Sequence, residues 1–294
     1  MISIYQTKEY KNAINNKNIV NLVNNHYALE KIISLPIFGS KKILDSRGLN
    51  NIKEIEIFKN LAKRYFYGVI APPIINTNHE IFKKLNYIKI SNYTILINLK
   101  KSEEELWQNL EKKSVRWGIK TAIKNNLKFE LVQDKNEICK FYELYKKTAE
   151  IGGFSAEDID FIVSLANTPA SKLFLIKNKD EIVAGGLVLI DKDYNYSVLD
   201  LTAASPEGFN LQAMPFLYWN IIKYSKNFNL DFFDLGGYDK EAKRGHKTYN
   251  INKFKERFGG QIVEQPMYST NWAYPFLRHL LKRFVFVKKI YEKK

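Results

Sequence analysis

One cysteine, Cys139, stands among 294 residues. That excludes an internal disulfide framework and any cysteine-rich zinc site, and it fits a reducing compartment such as the cytoplasm. The four histidines do not cluster with other ligands, so His246 carries no metal signal. No stretch reaches the ~18 uninterrupted apolar residues that a membrane span needs. The opening "MISIYQTKEYKNAI" holds no apolar core ahead of a small-residue cleavage site, so export through a leader is not expected. Internal repeats and low-complexity tracts are also lacking. Acidic residues are in deficit: 31 Asp and Glu face 46 Lys and Arg, leaving a formal charge of +15. Such a field draws phosphates, nucleic acid or anionic lipid without choosing among them.

What is present suffices for a full core. At 45% hydrophobic content the length fits one large domain or two of about 150 residues, and two is the expectation. Up to residue 100 the pattern alternates between strand-like "YALEKIISLPI", "KKILD" and "YGVIA" and helix-like "IKEIEIFKNLAKRYF" and "HEIFKKL". It closes on the strand-like run "YIKISNYTILINL". After a break at Lys100-Lys101, Ser102 precedes Glu105 by three residues, a capping-box signature that opens one long helix through "SEEELWQNLEKKSVRWGIKTAIKNN". Lys113, Arg116, Lys120 and Lys124 would line one face of it, either as a solvated stripe or as a docking surface for a phosphate backbone.

Residues 137–150 read as a helix, and Ser155 before Asp158 reads as the cap of another. Then "LFLIK", "IVAGGLVLI" and "YNYSVLDLTAA", joined by short polar turns, predict an antiparallel meander. A helix over "LQAMPFLYWNIIKYSKNF", a strand over "LDFFDLGG", a short helix over "TYNINKFKERFGG" and a last strand "QIVEQPMY" follow. Mixed strands and helices of this kind predict an α/β (α+β) layered protein. The expected domains are 1–101 and 102–270, with a tail at 271–294.

The segment "FFDLGGYDKEAKRGHKTYNINKFKERFGG" is the densest in candidate chemistry. Gly236-Gly237 either ends a strand or lets backbone approach a ligand. Asp234 just before the pair is a strand-end residue or a base. Tyr238, Arg244, His246 and Tyr249 lie in a cationic loop that is either an ordinary basic loop or a lid contacting a nucleotide or sugar. Phe254-Lys255 lies on an amphipathic helix that Gly259-Gly260 would stop. In the tail, Phe276, Leu277, Leu280, Leu281, Phe284 and Val285 recur at helical spacing among Arg278, Lys282, Arg283, Lys288 and Lys289. This basic amphipathic pattern suits an anionic membrane surface or a helix docked on the core.

Several of these segments together resemble the Fem family, the aminoacyltransferases that build peptidoglycan cross-bridges, and their GNAT-like relatives. The likeness runs over roughly residues 67–265. It rests on "APPIINTNHEIFKKLNYIKISNYTILINL", on Arg116, Lys120, Ala122 and "NNL" in the following helix, and on "DEIVAGGLVLI", "FDLGG" and "NKFKERFGG" in the same order. The resemblance implies two GNAT-like domains with mixed sheets. It implies transfer of an aminoacyl or acyl group to an amine of a cell-envelope precursor, a peptide or a nucleotide- or lipid-linked sugar. The donor would be a charged transfer RNA or an acyl thioester, with no permanently bound cofactor, and the chain would work in the cytoplasm or on the inner face of the membrane.

By the same resemblance Phe254 lines the active site and Lys255 holds the developing oxyanion. Gly236 and Gly237 admit the ligand. In "PIFGSKKILDSRGL" the basic residues Lys41, Lys42 and Arg47 are candidates for the phosphates of a nucleotide-linked acceptor. Two departures stand out. Ile151 replaces an Arg that many members carry, and the long helical hairpin of some members is missing. Where a coenzyme A enzyme would carry a Gly-rich pyrophosphate loop, this chain has "TAASPEGFNLQAM", which disfavours that donor. A coenzyme A- or carrier-protein-dependent N-acyltransferase, a non-catalytic RNA-binding protein and a membrane-surface scaffold are the rival readings.

Overall fold

A computed structural model describes residues 2–14, 18–24, 26–35 and 39–280. In chain order the first elements are α1 (Lys8–Ala13), β1 (Ile19–Asn21), β2 (Tyr27–Leu35), β3 (Gly39–Arg47), α2 (Ile52–Ala62), β4 (Gly68–Ala71), α3 (His79–Lys84), β5 (Ile88–Ile90) and β6 (Tyr93–Asn98). Next come α4 (Glu103–Asn109), α5 (Trp117–Lys124), β7 (Lys128–Val132), α6 (Lys135–Gly152), α7 (Ile159–Ala166), β8 (Ser171–Asn178), β9 (Glu181–Asp191) and β10 (Tyr196–Ala204). The chain continues with α8 (Pro206–Asn210), α9 (Ala213–Lys226), β11 (Phe232–Asp234), α10 (Lys247–Glu256), β12 (Gln261–Glu264) and β13 (Met267–Ser269). Residues 273–280 are helical.

The chain forms two compact units. One gathers the described residues of Lys8–Asn15 and Tyr93–Glu264, the other those of Ile2–Thr7, Asn16–Asn92 and Gln265–Lys294. The division therefore falls between Asn92 and Tyr93, not at Lys100-Lys101, and the expected boundaries 1–101, 102–270 and 271–294 are not those of the compact units. Sheet pairing is the reason. The run 87–99, which reads as one strand, holds β5 of one sheet and β6 of the other, and 261–268 likewise holds β12 and β13 of different sheets.

The unit built on 16–92 has a six-stranded sheet in the order β1-β2-β3-β4-β13-β5, in which only β3 and β4 run parallel. Phe58, Phe82, Leu44, Ile70 and Tyr268 fill its core, with Phe82 stacked on Tyr268 at 3.9 Å between ring centroids. Leu277 of the helical stretch 273–280 is buried with Leu35, Ile43 and Tyr67. The start of the tail thus docks on this unit by one face. The remainder of the basic amphipathic tail, 281–294, lies outside the described residues.

The larger unit has a seven-stranded sheet in the order β12-β6-β11-β10-β9-β8-β7. The meander β8-β9-β10 is antiparallel as its turns dictate, and β7, not anticipated from the sequence, pairs with β8. Nearly every turn of α9 is buried, through Leu217, Tyr218, Trp219, Ile221 and Ile222, against the same core as Phe174, Val188 and Phe233. Alternation explains the register of β6: Ile95, Ile97 and Leu99 join that core, which puts Thr94 on the opposite face.

Two helices differ from the sequence pattern. The capping box forms as expected, with Ser102 Oγ accepting from the Glu105 amide at 3.1 Å and Glu105 returning the bond to the Ser102 amide at 2.7 Å. The helix nevertheless stops at Asn109 and resumes through a π-helical turn at Lys112–Arg116 into α5. At the break the Glu111 amide donates to the Arg257 carbonyl at 2.8 Å, a tertiary bond that side-chain periodicity does not reveal. The cap of α7 is Asp158, which accepts from the Asp160 amide at 2.9 Å, and not Ser155.

Candidate active site

β11 lies between an antiparallel neighbour, β6, and a parallel one, β10. The parallel pairing ends at Val198 opposite Asp234, while β10 runs on to Ala204 through an irregularity between Leu199 and Leu201. The two strands therefore part at their C-terminal ends. In α/β sheets such a parting of parallel strands is where ligands reach the backbone.

Asp234 ends β11 at this point and is only 2% exposed. Its Oδ1 accepts from Thr94 Oγ1 and, at 2.7 Å, from the Gly236 amide. The second bond turns the chain sharply, and Gly236 takes φ +77°, a conformation that costs glycine nothing. The turn aims the carbonyls of Gly236 and Gly237 at Lys255, whose Nζ donates to them at 3.0 and 2.9 Å. Lys255 comes from α10, where it is 9% exposed, with Asn252 one turn earlier on the same buried face. The two carbonyls take two of its three N–H donors.

Burial pushes the Lys255 ammonium down to about 8, with nearby Asp234 working the other way. Burial likewise pushes Asp234 up to about 6, against the bonds from Thr94 and Gly236 and the charge of Lys255. Both ions cost stability at neutral pH. The Asp234 penalty appears as pH rises from its unfolded value toward about 6, and the Lys255 penalty is relieved only as pH rises from about 8 toward 10.5. A buried pair of opposite charges whose ionisation burial opposes is a recurrent property of functional sites.

Other candidates gather nearby in the chain. Tyr238 donates its hydroxyl to Glu256 at 2.7 Å, a bond that raises its own pKa to about 12. Glu256 also pairs with Lys253 at 2.6 Å, and Lys253 lies 5.6 Å from the ring of Tyr249. Phe254 packs edge-on against Tyr218 at 5.2 Å and against Phe258. The loop after Gly237 is pinned at its base, since Asn252 accepts from the Asp239 amide and donates to the Asp239 carbonyl at 2.7 Å. Arg244 is exposed in that loop.

Arg116 instead donates to Gln108 at 2.8 Å, in the π-helical turn before α5. Lys41 and Arg47 lie on β3 in the other compact unit. There Arg47 is exposed beside the Tyr5 ring at 5.4 Å, and neighbouring Lys42 pairs with Glu30 at 2.9 Å. Thr94, Asn252, Glu256 and Tyr218 were not singled out in the sequence. A polar residue inside "YTILIN" and the i, i+3, i+4 spacing of Asn252, Lys255 and Glu256 were the available signals. Among the described residues no group of three His, Cys, Asp or Glu side chains is placed to hold a metal.

No family model matches the sequence, and no curated protein matches it in sequence. Solved structures do match in fold. The crystal structure of FemX superimposes with a TM-score of 0.68 at 15% identity, covering 93% of this chain and 93% of that one. The C-terminal domain of an Agrobacterium fabrum protein named as a lysylphosphatidylglycerol synthetase gives 0.68 at 12% identity, covering 94% and 92%. L-PGS from Bacillus licheniformis gives 0.62 at 12% identity over 97% and 98%. The chain has a FemX-like fold over nearly its whole length.

Proposed function

We propose that this protein is an aminoacyltransferase that moves an aminoacyl group from a charged transfer RNA to an amine of a cell-envelope precursor. The observation that carries the reading is the buried Lys255 ammonium, clamped by the Gly236 and Gly237 carbonyls where β10 and β11 part. The fold likeness to FemX and to the synthetases named for lysylphosphatidylglycerol supports the reaction class and an envelope acceptor. In the reaction the acceptor nitrogen attacks the ester carbonyl and a tetrahedral oxyanion forms. The C–O bond to the ribose then breaks, and the proton of the attacking nitrogen passes to the leaving hydroxyl, with the substrates themselves assisting. The third N–H of Lys255 meets the oxyanion, an interaction stronger in the transition state than in the ground state. Asp234 and Thr94 position that ammonium through the Gly236 turn.

A coenzyme A donor is less well supported. Between β10 and α9, the amides of Ser205, Gly208, Phe209, Leu211 and Gln212 already donate to Val183, Ser205, Glu207 and Phe209, leaving few to cradle a pyrophosphate. Gly208 itself is pressed onto Val183, whose carbonyl oxygen would stand 2.1 Å from an added Cβ. For the acceptor, Lys41 and Arg47 are the proposed phosphate contacts. The exposed Trp272, just before the helical stretch 273–280, and the exposed Phe276 within it, next to the buried Leu277, support work at an anionic membrane surface with the cations of 276–294. No helix among the described residues is long and apolar enough to cross a membrane.

The test is transfer of a radiolabelled aminoacyl group from bulk charged transfer RNA to an extract of lipid-linked and nucleotide-linked envelope precursors. A parallel reaction uses radiolabelled acetyl-coenzyme A. The expected result is label in the precursor fraction from charged transfer RNA alone. Label from the thioester alone would overturn the assignment.

A further inference from the structure

The broken helix leaves a surface that the transfer chemistry does not use. In α5, Gly118, Ile119 and Ala122 are buried, and Gly118 brings the helix so close to α9 that an added Cβ would stand 3.0 Å from Pro215. The opposite face carries Trp117, Lys120, Ile123 and Lys124, and exposed Lys113 stands on the π-helical turn that leads into it. Trp117 is 55% and Ile123 57% exposed, so both apolar side chains stand open beside the cations of this face. No hydrogen bond or ion pair to a described residue engages Lys113, Lys120 or Lys124. The helix itself has no acidic residue, and Glu111, the acid just before the π turn, is taken by Ser114 and Arg257.

The order of these side chains around the helix selects the partner. At about 100° per residue, Ile123 lies at one edge of the exposed face and Trp117 at the other, with Lys120 and Lys124 between them. An interfacial membrane helix has the inverse order, apolar in the centre and cations at the flanks. Lys120 and Lys124 stand about 6 Å apart along the axis, one above the other, as a rail for a chain of phosphates, and the Trp117 indole offers a face on which a base can stack.

We propose that the α5 face, with Lys113, Lys120 and Lys124 as phosphate contacts and Trp117 as a stacking platform, is an RNA-docking surface. It rests on the donor reading above only for naming that RNA a transfer RNA. Binding of uncharged RNA tests the surface alone, so a failure of either idea is recognisable.

Affinity for deacylated bulk transfer RNA is measured by fluorescence anisotropy from 50 to 300 mM salt, on the full chain and on variants whose melting temperature equals that of the wild type. All four side chains are exposed or on an exposed face, so folding is expected to survive. In the Lys113→Gln/Lys120→Gln/Lys124→Gln variant the slope of log affinity against log salt falls by about three, one for each lost phosphate contact. Trp117→Ala weakens binding on the order of tenfold and leaves the slope unchanged, because stacking releases no counterions. A triple variant that keeps the wild-type slope overturns the proposal. So does a triple variant that keeps its RNA affinity but no longer binds phosphatidylglycerol vesicles, which would assign the face to a bilayer.

Discussion

Two glycine pairs bracket the segment that carries the candidate site, and they are alike only in sequence. Around Gly237 an added Cβ would meet nothing within 4 Å, and the Gly236 and Gly237 carbonyls face the Lys255 ammonium. At the other end, a Cβ on Gly259 would stand 2.6 Å from the Asn109 carbonyl, and one on Gly260 would stand 2.5 Å from Ile95. The first pair leaves space and presents backbone polar groups; the second removes space so that α10 can close against α4 and β6. One is built for approach and the other for packing. Positive φ calls for glycine at 236 and crowding calls for it at 259 and 260, yet only the first pair is expected to affect chemistry more than stability.

The largest effect expected on this contrast comes from Gly259→Ala. Its φ of +72° and its contact with backbone leave no way to relax, so unfolding free energy should fall by about 3 kcal/mol, measured by urea denaturation. A loss below about 1 kcal/mol would remove the packing role. Next is the charge pair. Activity should follow a bell, rising as Asp234 ionises near pH 6 and falling as Lys255 loses its proton near pH 8. In Asp234→Asn the acid limb should disappear and the alkaline limb move to lower pH, because the carboxylate is what helps keep the buried ammonium charged. An unmoved alkaline limb would uncouple the two residues.

The smallest change in stability belongs to Gly237→Ala. With ordinary φ and open surroundings it should leave unfolding free energy within about 0.5 kcal/mol of wild type, or raise it slightly by restricting the unfolded chain. Transfer should still slow, since a methyl group then stands where a ligand approaches. A Gly237→Ala protein as unstable as Gly259→Ala would make the two pairs equivalent.

How much of this was legible beforehand depended on whether the cause is local. The meander β8-β9-β10 was readable because its strands are separated by short polar turns, and the capping box at Ser102 because its partners are three residues apart. The likeness to the Fem fold was readable from the order of weak motifs, "FDLGG" and "NKFKERFGG" among them. Interruptions caused by distant partners were not readable. The stop at Asn109 follows from the bond between Glu111 and Arg257, and the splitting of 87–99 follows from strands that pair in two different sheets. The site divides the same way. Lys255, Asp234 and Gly236-Gly237 share a short segment and were named from it. Thr94 is 140 residues from Asp234 and joins it only because β6 and β11 are neighbours.

The most direct measurement of the role given to Lys255 is steady-state transfer by Lys255→Ala at pH 7, with kcat and KM determined separately. An ammonium that meets only the oxyanion predicts kcat lower by about 10²-fold, with KM for the charged transfer RNA within about twofold of wild type. An unchanged kcat, with or without a raised KM, would make Lys255 a clamp on the Gly236-Gly237 backbone and contradict its part in the chemistry.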